Sequence, residues 1–203
     1  MRSLKVYSIE DFKIEIDPDY VLKRLGKHRH SEIGKWKEKV LNKIEEAIPF
    51  IGPIISYTEM GVSKRTEEGI ELEGFLIKSK NLAKRFSRVQ KVTLFLATIG
   101  QGLTTLIEND EREISDSVIF DAIGSEAVES TVRWFHKNLF LRAKKKGFKI
   151  TGRYSPGYGD FSIECQKWFV KNLRGDKMGI RITDNYMLVP EKSITGVIGW
   201  RTS

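Results

Sequence analysis

Apolar residues between positions 115 and 146 recur every three to four residues. This is the period of an α-helix that buries one stripe of its surface. Lys144, Lys145 and Lys146 precede Gly147, so the last helical turn is positively charged and a glycine ends it. The pattern predicts one long central helix from about Ser115 to Lys146.

Shorter apolar runs are typical of strands. Val92–Ile99 is apolar along most of its length, which favours a central strand covered on both faces. Phe12–Ile16 alternates apolar and charged residues with period two, as a half-buried strand does. The same criteria predict further strands at Ile54–Glu59, Ile70–Ile77, Ile180–Val189 and Ser193–Trp200.

Helix start signals add the remaining elements. Asp17 before Pro18 is an N-cap followed by a proline in the first turn, and it predicts a helix as far as about Arg29. Ser31 is the predicted cap of a second helix that stops at Pro49. Shorter helices are predicted at Asn81–Arg88 and Phe161–Arg174.

The order of these elements predicts the fold class. Strands and helices do not alternate strictly, which disfavours a doubly wound α/β fold. We expect an α+β fold with a mixed or antiparallel twisted sheet, a long central helix and flanking helices. A length of 203 residues suits one core, so residues 1–203 are predicted to form a single domain.

Composition excludes several classes of protein. The chain has 35 Lys and Arg against 27 Asp and Glu, a formal charge of +8, with 40% hydrophobic residues, which is typical of a globular protein and not of a disordered one. No apolar run approaches the roughly 20 residues that cross a bilayer. The N-terminus lacks a signal-like apolar region, so a cytoplasmic location without membrane association is expected. One cysteine and three histidines give no zinc-type cluster, and no metal site is predicted.

The segment 152–160 contains an arginine, two tyrosines, three glycines and a proline directly before a predicted helix. Pro156 and Gly157 suit the central pair of a type II turn. Asp160 is a candidate N-cap for the helix that follows. Arg153 adds a forked donor suited to a carboxylate, so this loop is a candidate site for a small anion. A tight connection with a solvated arginine and packed tyrosines explains the pattern equally well.

Charged residues elsewhere have ordinary explanations. Glu129 lies four residues before Arg133, a spacing that favours a helix-surface ion pair. No catalytic residue is predicted, because the chain has no P-loop and no nucleophile elbow. Basic residues cluster at 84–91 and 144–146, but such runs are usually solvated, and no nucleic-acid-binding motif accompanies them, so nucleic acid is not expected as a partner.

Several runs in the second half of the chain resemble the activation domain of cobalamin-dependent methionine synthase. The resemblance extends from about Thr93 to Gly199 in consistent order, and it is strongest in an Arg-x-x-Pro-Gly-Tyr core and a Pro-x-x-Ser-Ile-Thr-Gly tail. The runs that carry it are Leu96–Gly100, Asp121–Glu129, Arg153–Asp160 and Gly179–Gly196.

The resemblance implies a ligand and its contacts. Domains of this family bind S-adenosylmethionine, whose methyl group restores a cobalamin oxidised to the cob(II) state. Arg153 and Tyr158 fall on the ligand-binding positions of the motif, and Glu129 falls on the ligand-binding glutamate of a helix. Ser155 and Gly157 lie in the same motif and are predicted to bind with them.

The resemblance also implies partners. The predicted function is that of a stand-alone reactivation domain, a component acting in trans on a cobalamin-dependent methionine synthase that lacks its own activation domain and carries the cobalamin. A flavodoxin- or ferredoxin-like protein would supply the electron. Gly159 and Asp160 follow Tyr158, as in shorter stand-alone relatives, where full-length enzymes have a proline. The alternatives are a regulatory module that binds S-adenosylmethionine or another small molecule, and an activator of another corrinoid protein.

Overall fold

The structure, a computed structural model, describes residues 4–27, 33–108 and 113–202. Strand β5 (Lys91–Thr98) lies at its centre and is buried along nearly its whole length. Its side chains alternate between two cores, with Leu94 and Leu96 in one and Phe95 and Ala97 in the other. Because successive strand residues point to opposite faces, both faces of the sheet must be covered. The prediction of a central strand is confirmed.

Antiparallel pairing joins β5 to its neighbours on both sides. β5 pairs with β2 (Ile54–Thr66) and with β9 (Ser193–Thr202). The sheet also contains β1 (Tyr7–Ile9), β3 (Gly69–Leu72), β4 (Phe75–Lys78) and β6 (Phe148–Ile150). In the described part of the chain this sheet has seven strands in the order β4-β3-β2-β5-β9-β6, with β1 also paired to β2, and every pairing is antiparallel. The predicted α+β class is confirmed.

One long helix, α5 (Ile114–Lys145), covers one face of the sheet, and its bounds agree with the prediction to within one residue. Its second half packs Val132, Phe135 and Leu139 against Phe95 of β5. Its first half packs against the helices α1 (Pro18–Arg24), α2 (Ile33–Ala47) and α4 (Gly102–Glu108). Among the described residues, no helix has the combination of length and apolar character that a membrane span requires.

The opposite face is covered by shorter elements. Helix α3 (Lys80–Arg85) contributes Leu82, and helix α6 (Gln166–Asn172) contributes Phe169. A 3-10 turn at Ile163–Cys165 leads into α6, so the helix predicted over 161–174 is shorter than expected. A separate hairpin of β7 (Arg181–Ile182) and β8 (Leu188–Val189) lies beyond α6.

Three strand predictions need correction. Phe12–Ile16 keeps the predicted alternation of burial but pairs with no described strand, because Phe12 stacks on Trp134 of α5 and the isoleucines pack among the helices. The predicted strand at 70–77 is split by a turn at Gly74, whose φ of +80° suits glycine. The predicted strand at 180–189 is likewise split, by a turn in which Tyr186 has φ of +63°.

The N-terminal helix begins as predicted. The carboxylate of Asp17 accepts a hydrogen bond from the backbone N–H of Asp19 at 2.8 Å, and Pro18 occupies the first turn. The helix ends at Arg24. The predicted end at Arg29 and the predicted cap at Ser31 lie outside the described residues.

Candidate ligand-binding site

A cavity of about 630 Å³ opens beside the middle of α5. One wall is α5 itself, and the opposite wall is the segment 153–158 that follows β6. The turn of the β7–β8 hairpin and the start of β9 close a third side. The cavity therefore lies where the long helix, the sheet edge and the small hairpin meet.

The segment 153–158 is held firmly against the sheet. Tyr154 and Val197 of β9 exchange both of their backbone hydrogen bonds, at 2.9 and 2.8 Å. Gly157 has φ of +89°, and the N–H of Tyr158 donates to the carbonyl of Ser155 at 3.2 Å, as the predicted type II turn requires. This anchoring buries Ser155 and Pro156 at the floor of the cavity and leaves the side chain of Tyr158 exposed.

Asp160 does not cap the helix that follows it, contrary to the prediction. Its carboxylate accepts hydrogen bonds from the hydroxyl of Ser79 at 2.5 Å and from the backbone N–H of Lys80 at 2.6 Å, at the start of α3. The hydroxyl bond, together with the backbone N–H groups, lowers the pKa of Asp160. Ser162 is the cap of the 3-10 turn that leads into α6. Asp160 thus anchors the cavity loop to the start of α3, which lies much earlier in the chain.

Glu129 and Arg153 form a forked ion pair across the cavity wall. The two guanidinium nitrogens of Arg153 donate to the two carboxylate oxygens of Glu129 at 3.2 and 3.1 Å. Both side chains are mostly buried, with 31% of Glu129 and 22% of Arg153 exposed. The predicted helix-surface pair of Glu129 with Arg133 is therefore not formed, since Arg133 donates instead to Glu126 and to Ser130.

Glu126 lies one helical turn before Glu129, and its side chain is fully buried. Its carboxylate accepts from the guanidinium groups of Arg24 in α1, at 3.2 and 3.3 Å, and of Arg133 in α5. A buried carboxylate is tolerated when it is paired in this way. The bridge fixes Arg24 at the rim of the cavity, which Arg24 also lines.

Two buried polar atoms at the cavity have no partner. The hydroxyl of Ser155 and the side-chain carbonyl of Gln166, at the start of α6, are buried and make no hydrogen bond with any described residue. Both residues line the cavity. Since buried polar atoms are nearly always hydrogen-bonded, the two atoms are suited to a polar ligand in the cavity.

Four of the five predicted site residues line the cavity. Glu129, Arg153, Ser155 and Tyr158 line the cavity, whereas Gly157 shapes the turn without lining it. The sequence reasoning missed Gln166, Arg24 and Lys192. Of these, only Gln166 could have been found from the sequence, because it is an uncharged polar residue on the same face of α6 as the buried Phe169.

Lys192 completes the polar wall next to α5. Its ammonium donates to the carboxylate of Asp121 at 2.5 Å and to the hydroxyl of Ser125 at 3.0 Å. Arg24, Arg153 and Lys192 each have a carboxylate partner, so the cavity holds its cations in neutralised pairs. Such a site suits a ligand that carries both charges better than a simple anion. In the described part of the chain no group of acidic, histidine or cysteine side chains is arranged to hold a metal ion.

Together, the antiparallel sheet, the single long helix and the polar cavity at the sheet edge define an α+β domain with a candidate ligand cavity. The fold is that of the MetH reactivation domain. A crystal structure of that domain bound to AdoHcy superimposes with a TM-score of 0.68 and 12% sequence identity, covering 98% of this chain and 79% of the other. No family model matches the chain, and no curated protein matches its sequence.

Proposed function

We propose that the cavity binds S-adenosylmethionine and that the chain is a reactivation domain for cobalamin-dependent methionine synthase. The observation that carries the proposal is the forked Glu129–Arg153 pair beside two buried, unpartnered polar atoms, Ser155 Oγ and Gln166 Oε1. The fold supports the ligand class, because the similar MetH domain is bound to AdoHcy, which is S-adenosylmethionine without its transferable methyl group.

The charges of the ligand match those of the cavity. The amino-acid end of S-adenosylmethionine carries a carboxylate for Arg153 and an ammonium for Glu129, so both protein charges stay paired when the ligand binds. Its hydroxyl and purine groups offer donors for the hydroxyl of Ser155 and the carbonyl of Gln166. Tyr158, which is 59% exposed, is free to place its ring against the sulfonium.

The residues of this chain orient the methyl donor. S-adenosylmethionine supplies an activated methyl group, and the cobalamin, carried by a separate methionine synthase, supplies the metal centre that accepts it. Arg153 and Glu129 would hold the amino-acid end against α5, and the exposed Tyr158 would be available to the sulfonium. Positioning of this kind lowers the barrier by reducing the entropy lost on reaction.

The partners proposed for the chain act in trans. A methionine synthase without its own activation domain carries the cobalamin, and a flavodoxin- or ferredoxin-like protein delivers the electron. The formal charge of +8 supports docking to an acidic electron carrier, because opposite charge raises association rates.

Ligand binding is tested first. Saturating AdoHcy or S-adenosylmethionine should raise the melting temperature, since at 100 times Kd a ligand stabilises the folded state by about 2.7 kcal/mol. Methylthioadenosine, which lacks the amino-acid end, is the matched control and should stabilise far less. Equal stabilisation by all three compounds would contradict the role given to Glu129 and Arg153.

Reactivation is tested second. Adding the chain, S-adenosylmethionine and a reductant to a methionine synthase truncated before its activation domain should restore turnover from cob(II)alamin. Restoration is expected to fall as salt is raised, because docking is charge-assisted. Binding without any recovery of turnover would instead favour a regulatory module, or an activator of another corrinoid protein.

Gly196 of β9 lies directly against the side chain of Arg153, so Gly196→Ala should weaken ligand binding. A Cβ there would lie 2.8 Å from Cγ of Arg153 and 2.8 Å from ring atoms of Phe95. Phe95 is fully buried and cannot yield, so Arg153 must move. We expect a loss of about 1–3 kcal/mol in unfolding free energy and a lower affinity for AdoHcy.

Gly199→Ala is the matched control for this change. Its Cβ would lie 2.5 Å from Val89 and does not meet Arg153. It should lower stability without lowering affinity, as measured by calorimetry below both melting temperatures. If both variants keep the affinity of the unchanged protein, Arg153 does not hold the ligand.

A further inference from the structure

A second cavity, of about 440 Å³, lies at the β6 edge of the sheet. It shares no lining residue with the cavity beside α5. Arg85 at the end of α3, Arg88 just after it and Arg201 in β9 bring their side chains to this one cavity. The loop after α3 packs here against β9, where the N–H of Gln90 donates to the carbonyl of Trp200 at 2.8 Å.

The guanidinium groups in this cavity lack counter-ions. No acidic residue is among the described residues that line it. Arg85, Arg88 and Arg201 form no ion pair or hydrogen bond with the described part of the chain, and Arg85 only faces the ring of Tyr154 at 5.9 Å. This differs sharply from the cavity beside α5, where Arg24, Arg153 and Lys192 are each paired with a carboxylate.

Like charges held at one cavity repel each other, and an anion that bridges them relieves that cost. Each guanidinium is a planar fork that matches the oxygens of a phosphate group in a bidentate manner. Ser87, whose hydroxyl has no partner among the described residues, adds a donor at the same cavity. A ligand with two linked phosphate groups has enough charge and oxygens to engage all three side chains.

The geometry points to a second binding site, formed by Arg85, Arg88 and Arg201, for a small molecule that carries a diphosphate group. The site is separate from the S-adenosylmethionine site and does not depend on the proposed function. Neighbouring cavities add lysines on both sides, Lys84 on one and Lys144 and Lys149 on the other, which raise the local concentration of anions.

Titration calorimetry with sodium pyrophosphate, at fixed low ionic strength, tests the site. We expect saturable binding at one site per chain, tighter than binding of inorganic phosphate by about tenfold, because a single phosphate engages fewer arginines. Arg88→Gln and Arg201→Gln should each weaken pyrophosphate binding at least about tenfold, the effect of losing one charge-assisted contact. Both residues are exposed, so the variants should fold, which circular dichroism checks.

Arg181→Gln is the matched control, since Arg181 is an exposed arginine on the separate β7–β8 hairpin and lines neither cavity. It should change the pyrophosphate affinity less than twofold. Absence of saturable binding up to about 10 mM pyrophosphate would overturn the proposal, as would equal weakening by Arg181→Gln. Tight binding of a single-stranded oligonucleotide that pyrophosphate fails to displace would also overturn it in favour of a nucleic-acid surface.

Discussion

Arg153→Ala is expected to lower the affinity for AdoHcy and S-adenosylmethionine by at least about tenfold. The change removes the forked donor for the ligand carboxylate and leaves Glu129, only 31% exposed, without its partner. An unpaired carboxylate at that position repels the ligand carboxylate as well. Titration calorimetry measures the loss, and Arg181→Ala, which removes an exposed arginine that does not line the cavity, is the matched control.

Two further variants separate charge from geometry at this pair. Arg153→Lys keeps the charge but not the fork, so its affinity should fall between those of the original protein and Arg153→Ala. Glu129→Gln should weaken binding by a similar route, and the double variant should lose less than the sum of the single losses, because the two residues are in contact. An unchanged affinity in Arg153→Ala would remove Arg153 from the site.

Glu126→Gln should lower the free energy of unfolding by about 2–3 kcal/mol, the largest stability loss we expect from one isosteric change. The carboxylate is fully buried and joins Arg24 of α1 to Arg133 of α5. An amide loses the charge that both guanidinium groups require. Both arginines are partly exposed, so water can solvate them when the carboxylate is lost. The loss in unfolding free energy should therefore be smaller than for a fully buried pair. Urea unfolding measures it.

The control for Glu126 is an ion pair at the surface. Asp19 and Lys37 join α1 to α2 at 2.8 Å, with most of the aspartate side chain exposed. Asp19→Asn should cost less than about 1 kcal/mol. Equal losses in Glu126→Gln and Asp19→Asn would mean that the Glu126 bridge contributes no more than a solvated pair. We also expect Glu126→Gln to weaken ligand binding modestly, because Arg24 loses its anchor at the cavity.

The elements that were predicted correctly are those whose burial follows one simple period. The apolar residues of α5 recur every three to four positions, although its middle is buried on more than one side, and β5 is buried on both faces, so the sequence pattern indicates each of them. The prediction of a strand at Phe12–Ile16 was wrong because alternation shows which side chains are buried but not whether a strand or a helix packs against them. β6 was missed because it has only three residues, one of them an exposed lysine, and is a strand only through its pairing with β9.

The site was predicted in part for a similar reason. The loop 153–158 carries local turn chemistry, which a sequence shows directly. The partner of Glu129 lies 24 residues away, and it meets Glu129 only because Tyr154 is bonded to β9. Spacing along the helix favoured Arg133, which turns instead to Glu126. The contribution of Arg24 depends on how α1 packs against α5, which no local pattern reports.

The Glu129–Arg153 pair also gives the cavity a selectivity that size alone would not. A molecule with only a carboxylate pairs with Arg153 but leaves Glu129 without a partner. A molecule with only an amine pairs with Glu129 but leaves Arg153 without one. Only a zwitterion exchanges one ion pair for two without leaving a charge uncompensated. We therefore expect the pair to favour ligands with an α-amino acid end over simple acids and simple amines that fit the same volume.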